Sequence, residues 1–339
     1  PLLKAETISG MEWVRGEVIG RGSFSTVNVA TTSSFDLIAV KTSGVSDAAL
    51  LRHEKSVLDA IESHQNIIRC LGADVTIENF KKQYNLLLEY AEGGSLADRL
   101  GKTGGKLSER EVRSYTKQVL IGLAHVHGNG FAHLDIKPSN LLLAESGIVK
   151  IADFGLAKPV AGDERPVNMT GTPMYMAPES VNANEYTASC DIWAVGCTVL
   201  ELATGRPPWA FRHGDTTAMS VLFRIGFGDE IPAIPEAMSE EGKDFLRKCF
   251  VKDRRMRWTA DMLLNHPFML GDKDEPVKSV SVSPRCVFEF PDDDWSLASR
   301  IFPGVPVSVS PYIMERVREL SGKFENKLVD GQSWISVRN

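Results

Sequence analysis

From about Met11 to Thr42 apolar and polar residues alternate, and glycines break the alternation once. The run Trp13-Val14-Arg15-Gly16-Glu17-Val18-Ile19 leads into Gly20-Arg21-Gly22-Ser23-Phe24-Ser25, and Thr26-Val27-Asn28-Val29-Ala30 follows. A period of two marks half-buried strands. The pattern therefore predicts a strand, a glycine-rich turn and a returning strand, with a third strand over Leu37 to Thr42. From Ser46 to Ile61 the period lengthens to that of a helix, with Leu50, Leu51, Val57, Leu58 and Ile61 on one face. Ser46 is the expected N-cap, and Asp47 falls in the first turn, where the helix dipole favours an anion. Glu54 lies within the apolar face, and a carboxylate there costs free energy unless a cation meets it. Further strands are expected at Ile67 to Val75 and Tyr84 to Tyr90. Ser108 and Glu111 have capping-box spacing, and Val112, Tyr115, Val119, Leu123 and Val126 carry a long helix from there to Gly128.

The stretch from His133 to Gly155, HLDIKPSNLLLAESGIVKIADFG, holds two polar clusters. His133-Leu134-Asp135 with Lys137 and Asn140 forms the first, and Asp153-Phe154-Gly155 the second. Two apolar runs and a turn signal at Glu145-Ser146-Gly147 separate them, which predicts two short buried strands presenting both clusters at one edge. Carboxylates and an amide gathered beside a Lys suit Mg²⁺ with phosphate, because Mg²⁺ takes a few hard oxygen ligands and leaves positions for substrate oxygens. That chemistry is phosphoryl transfer. The glycine loop, taken alone, is most simply a tight hairpin. A dinucleotide-binding fingerprint would open into a helix, whereas this loop returns as a strand, which argues against a nicotinamide oxidoreductase. A hairpin of this kind suits a flap over triphosphate, with backbone N–H groups offered to phosphate oxygens. Lys41, on the third strand, is then the candidate phosphate partner and the natural cation for Glu54.

With 339 residues the chain is long enough for two lobes, or one large domain with a tail. A formal net charge of -6 and a single short basic run, Lys252 to Arg257, speak against nucleic acid as a partner. The cysteines (Cys70, Cys190, Cys197, Cys249, Cys286) are odd in number and scattered, so reduced thiols and a cytoplasmic and/or nuclear setting are expected. No apolar run is long enough to cross a bilayer and no signal-peptide core is seen, so no membrane insertion is expected. The chain begins at Pro1 rather than Met, so residues upstream are expected to be missing.

The order and wording of these segments resemble the eukaryotic protein kinases. Ile38-Ala39-Val40-Lys41 resembles the kinase VAIK strand, and His64-Gln65-Asn66-Ile67 the HPNI turn with Gln for Pro. HLDIKPSN resembles the catalytic loop, Asp153-Phe154-Gly155 the metal-binding triplet, and Gly171 to Glu179 (GTPMYMAPE) the end of an activation segment. Asp191 to Gly196, Arg257 and Leu264 to Phe268 fit the same family, over roughly 11–270. The resemblance implies an α+β bilobal kinase fold: a small antiparallel-sheet N-lobe with one helix (about 11–91) and a larger, mainly helical C-lobe (about 92–270). It implies ATP and Mg²⁺ as cofactors. Gly20, Gly22, Ser23, Val27 and Ala39 would line the nucleotide. Leu88 would guard the back of the adenine pocket, with the Glu89 and Ala91 backbone reading the adenine edge across a Gly93-Gly94 joint. Lys41, held by Glu54, would orient the α and β phosphates; Asn140 and Asp153 would hold Mg²⁺. Asp135 would accept the substrate hydroxyl proton and Lys137 would steady the γ-phosphate. Arg257 would pair with Glu179. Lys137 and Thr172 favour Ser/Thr over Tyr as the acceptor.

Two positions depart from the pattern. Ser25 stands at the third glycine, which should stiffen the flap without abolishing binding. Leu134 stands where regulated kinases carry the Arg that receives an activation-loop phosphate, so activity is expected to depend little on that phosphorylation and more on abundance or partner binding. These departures suggest an alternative, a pseudokinase-like scaffold; retention of Lys41, Glu54, Asp135, Asn140 and Asp153 argues against it. Asp191 to Trp209, Asp153 to Lys158 and the HPF ending look most like the STE group, particularly plant MEKK-type MAP kinase kinase kinases. The substrate so implied is a Ser/Thr in the activation loop of a MAP kinase kinase. The tail, 271–339, is assigned to regulation or docking: Ser-Pro pairs at Ser283 and Ser310, an acidic-aromatic run from Phe288 to Trp295, and a helical stripe of Ile313, Val317, Leu320, Phe324 and Leu328. The sequence leaves the oligomeric state open.

Overall fold

The computed structural model describes residues 12–22, 25–78, 80–144, 146–160, 169–209 and 218–271. Ser23 and every expectation placed on the tail beyond 271 lie outside these residues.

The alternating stretches become an antiparallel sheet: β1 (Trp13–Arg21), β2 (Thr26–Thr32), β3 (Leu37–Gly44), β4 (Cys70–Glu78) and β5 (Lys81–Glu89), in the order β1-β2-β3-β5-β4. One helix, α1 (Ala49–Ala60), enters between β3 and β4. One sheet face buries Trp13, Ala30, Ile38, Val40 and Leu87 as a separate small core. The opposite face, with α1, joins the main core.

Below the sheet the chain is mainly helical. It runs α2 (Leu96–Lys102), α3 (Glu109–Gly128), β6 (Phe131–Ala132), β7 (Leu141–Leu143), β8 (Val149–Ile151), β9 (Lys158–Pro159), α4 (Pro178–Asn182), α5 (Ala188–Thr204), α6 (Ala218–Phe227), α7 (Glu240–Cys249), α8 (Ala260–Leu264) and α9 (Pro267–Leu270). The expected capping box closes the start of α3: Ser108 accepts from the Glu111 N–H and Glu111 accepts from that of Ser108. Helix α5 shows no amphipathic stripe because it is buried on all sides from Cys190 to Leu200. The chain leaves it at Gly205, whose φ of 69° and contact with Gly105 leave no room for a side chain. One core runs from Leu86 and Leu88 of the sheet through Leu123 and Ile151 to Trp193 and Phe245.

Three expectations need correction. The helix does not begin at Ser46: a 3-10 turn occupies Val45–Asp47 and α1 starts at Ala49, with no side-chain cap. Leu50 is exposed rather than part of the apolar face, which is carried by Leu51, Val57 and Leu58. Strand β4 begins at Cys70, not Ile67, because Ile67 is drawn into a bridge with Ile151 of β8. The four described cysteines are free thiols. Among the described residues no helix is long and apolar enough to cross a membrane.

Candidate active site

The two polar clusters of the His133–Gly155 stretch meet because β7 and β8 pair antiparallel, Leu141 opposite Ile151 and Leu143 opposite Val149. Gly147, at φ 76°, turns the chain between them. The pairing places Asn140 and Ala152 side by side, and the Ala152 N–H donates to the Asn140 carbonyl at 2.9 Å. Asn140 Nδ2 donates to the Asp135 carbonyl (2.8 Å) and to Asp135 Oδ2 (2.9 Å). Lys137 Nζ lies 2.8 Å from Asp135 Oδ2. The Thr172 hydroxyl donates to Asp135 Oδ1 at 2.6 Å and accepts from Lys137 Nζ at 2.8 Å. A carboxylate, an ammonium group and a hydroxyl thus share one small cluster.

The loop that carries Asp135 is held from behind. Asp191, fully buried at the start of α5, accepts the N–H groups of His133 (2.8 Å) and Leu134 (2.7 Å) and the His127 ring N–H (2.8 Å). His133, also buried, donates from Nε2 to the Ala152 carbonyl and accepts the Asp135 N–H at Nδ1. Leu134 and Asp153 both sit at φ near 67°, a left-handed conformation costing a non-glycine residue about 1–3 kcal/mol. In the sequence Asp191 stands out only as the first residue of the kinase-like Asp191–Gly196 stretch. Its signal was a carboxylate opening an otherwise apolar helix, which must find donors when buried.

Lys41 meets the acid expected of it, Glu54, at Oε2 (2.7 Å), and also Asp153 Oδ1 at 2.8 Å, a contact the sequence did not announce. Glu54 also accepts the Phe154 N–H at 3.1 Å, so one buried carboxylate ties β3 to the Asp153-Phe154-Gly155 turn. His53 of α1 adds a bond to the Ala157 carbonyl, and Phe154 packs edge-on against His133. Burial alone would depress the Lys41 pKa, but Glu54 and Asp153 hold it above the ordinary ammonium range. Burial raises the Glu54 pKa, with Lys41 opposing. For Asp153 burial works the same way, yet Lys41, Lys137 and His133 outweigh it and keep the carboxyl below its usual value.

Asp153 keeps nearly half its side chain open, and only its Oδ1 is bonded to a described residue. Asn140 directs its side-chain N–H group to Asp135, and its side-chain Oδ1 has no donor among the described residues. A carboxylate oxygen and an amide oxygen are the hard donors that Mg²⁺ takes, so these residues fit that ion.

Gly20 pairs with Val27 and the Gly22 N–H donates to the Ser25 carbonyl at 2.8 Å, closing the flap. Neither glycine has a positive φ, and a Cβ on either would make only ordinary contacts. The fold itself does not require these glycines. At the other end of the sheet Ala39 pairs with Leu88, both buried, and Val27 packs against the same core. The Glu89 N–H is taken by the Arg69 carbonyl (3.0 Å), while no bond from the Ala91 N–H is seen among the described residues. Gly93 lies so close to Leu143 that a Cβ would sit 2.7 Å from it, and Gly94 has φ 73°. The joint glycines are thus required, Gly93 by its packing onto β7 and Gly94 by its left-handed backbone.

Beyond the Asp135 loop, Arg257 reaches Glu179 by two parallel bonds, 2.6 and 3.0 Å, with its side chain fully buried. The family model described as a protein kinase domain matches residues 13–269. The chain belongs to the protein kinase family.

Similar whole proteins narrow this further. The chain is 51% identical to mitogen-activated protein kinase kinase kinase 20 of Arabidopsis thaliana, over 97% of this chain and 100% of that one. It is 39% identical to kinase kinase kinase 18 of the same plant, over 97% and 99%, and 44% identical to kinase kinase kinase 17, over 79% and 72%. This kinase is therefore of the plant MEKK type, an ATP-dependent Ser/Thr protein kinase, and the expected bilobal α+β fold is the one observed. A protein kinase domain uses ATP with a divalent metal and acts on protein.

Proposed function

We propose that this kinase transfers the γ-phosphoryl group of ATP to a Ser or Thr of a MAP kinase kinase, with Asp135 as the base. The observation that carries this reading is the Asp135 carboxylate, bonded at once to Lys137, Asn140 and a threonine hydroxyl. Thr172 occupies on Asp135 the position a substrate hydroxyl would take. In this reading Asp135 accepts that hydroxyl's proton as its oxygen bonds to the γ-phosphorus and the bond from phosphorus to the bridging oxygen breaks, releasing ADP, while Lys137 steadies the transferring group. Lys41, fixed by Glu54, orients the α and β phosphates under the Gly20–Ser25 flap, whose glycines the fold does not otherwise need. Asn140 and Asp153 would hold Mg²⁺, which neutralises developing charge on phosphate oxygens when bound. Leu88 closes the adenine pocket, and the Glu89 carbonyl and Ala91 N–H read its edge. Residues 11–270 form the catalytic unit, and the free thiols support a cytoplasmic or nuclear setting. A scaffold without catalysis would have no use for Lys41, Glu54, Asp135, Asn140 and Asp153 together.

Asp135→Asn is expected to lower turnover by about 10² to 10⁴, while Mg·ATP binding by calorimetry stays nearly unchanged. Loss of nucleotide affinity with retained turnover contradicts the assignment. Comparing a MAP kinase kinase with a generic basic protein as acceptor tests the substrate class: a clear preference for the first is expected, and none contradicts it.

A further inference from the structure

Lys41 points from β3 toward Glu54 and Asp153, so Thr42, its neighbour, falls on the opposite face of the sheet. That outer face carries a polar network centred on Arg15. Its Nη1 donates to Asn28 Oδ1 of β2 (3.3 Å) and Thr42 Oγ1 of β3 (2.8 Å). Its Nη2 donates to Asn85 Oδ1 of β5 and Glu78 Oε1 of β4, each at 2.8 Å. Arg15 itself is on β1, so one guanidinium is bonded to every other strand of the five-stranded sheet.

The network continues inward. Thr42 donates to Asn85, Asn85 donates to Asp74 and Thr76, and Trp13 Nε1 donates to Asp74 at 2.9 Å. Asn85 and Thr76 are fully buried. Polar side chains in such a place hold the strands to one geometry, because any slip leaves buried groups unbonded.

The β1–β2 ladder gives this network a task. Its register shifts twice, between Arg15 and Val18 and again between Val18 and Gly20, at the root of the flap. Bulges of this kind bend a strand and loosen its pairing. Asn28, bonded to Arg15, donates Nδ2 to the Gly16 carbonyl inside the first shift at 3.0 Å. A Cβ on Gly16 would be a tight fit, 3.0 Å from the Val29 carbonyl. The flap strand is thus fastened at its bulge by side chains, and through Thr42 to the position next to Lys41.

We propose that Arg15 is a positioning residue for the nucleotide: from the far face of the sheet it sets the glycine flap and Lys41 at one spacing for the triphosphate. This rests on reading the flap and Lys41 as the triphosphate site. The Arg15 side chain is about one-fifth exposed, so an unbranched Met fits in its place.

The test is calorimetry on the full chain with two ligands, the Mg²⁺ complex of the non-hydrolysable analogue AMP-PNP and adenosine, which has no phosphate for the flap to hold. Arg15→Met is expected to weaken AMP-PNP binding roughly fivefold to tenfold, the equivalent of about one ordinary net hydrogen bond, and to leave adenosine affinity unchanged. Glu78→Gln, on the opposite edge strand, is expected to weaken AMP-PNP by roughly twofold to threefold, since its bond to Arg15 loses its charge. It carries the test alone if Arg15→Met does not fold. KM for ATP should rise in step, with KM for the protein acceptor unmoved. Equal weakening of both ligands, or unchanged AMP-PNP affinity in the folded variants, overturns the role of Arg15. A wild-type chain that binds adenosine as tightly as AMP-PNP overturns the triphosphate site itself, and Arg15's role with it.

Discussion

Lys41 shows how much of a site one residue can disclose. Its place after Ile38-Ala39-Val40, with Glu54 inside an apolar helix face, was enough to pair the two from sequence, and the 2.7 Å contact bears that out. The pair also yields a stability test. Removing Lys41 leaves Glu54 buried without its cation, and breaking a buried pair costs about 3–5 kcal/mol. Lys41→Met should therefore be destabilised by that order in urea unfolding, and Lys41→Met with Glu54→Gln by clearly less. The pH dependence has a definite sign. The Glu54 pKa in the fold is already above its ordinary value because of burial, and loss of Lys41 lifts it further. A group whose folded pKa is raised takes up its proton in the folded state first, so folding gains as pH falls toward and below the unfolded value. The deficit of Lys41→Met should accordingly narrow toward acid pH and widen toward neutral. An equal deficit at all pH values, or no relief in the double variant, would contradict the pairing. Asp191 was harder to read, since nothing local tells a carboxylate at a helix start that it will meet backbone 58 and 57 residues away.

Among the elements, those whose signals are local were legible and those settled by packing were not. The Ser108–Glu111 box needs only a three-residue spacing, and it forms. Ser46 has a cap's chemistry, but it lies inside a 3-10 turn and its hydroxyl goes to Asp47. The start of β4 moved because Ile67 pairs with Ile151, a partner that strand periodicity does not reveal. The activation segment's return limb is the element where Leu134 matters. Leu134 is buried in a small pocket with Ile136, Met176, Tyr186 and Ala194. Met169 is buried, the Thr170 N–H donates to the Tyr186 hydroxyl at 2.8 Å, and Gly171, at φ 114°, lies against the Leu134 carbonyl. Apolar contact and a backbone bond thus seat the limb where an arginine would use a phosphate. Phosphatase treatment is expected to leave turnover within roughly twofold, because no charge-assisted bond of about 1.5–3 kcal/mol is lost from Leu134. Activity abolished by phosphatase and restored by rephosphorylating Thr170 or Thr172 would count against this.

Across the whole molecule, fold and chemistry are one arrangement. The core that runs from the sheet to the C-lobe helices passes directly under the cleft, through Leu88, Leu143, Ile151 and Phe154. The buried Glu179–Arg257 pair fastens the end of the activation segment to the far side of the C-lobe. The sequence wording predicted both lobes because each motif marks a junction between elements, where polar residues are few and closely constrained. The outer-face network around Arg15 went unread because its partners are spread over β1 to β5 and none carries a motif. The central claim is that Asn140, Asp153 and Lys41 converge on one metal-nucleotide beside Asp135. A crystal structure with Mg²⁺ and AMP-PNP tests it most directly. The metal is expected at about 2.1 Å from oxygens of Asp153 and Asn140, with the γ-phosphate facing Asp135. An empty cleft, or a metal-nucleotide bound away from these residues, would contradict it.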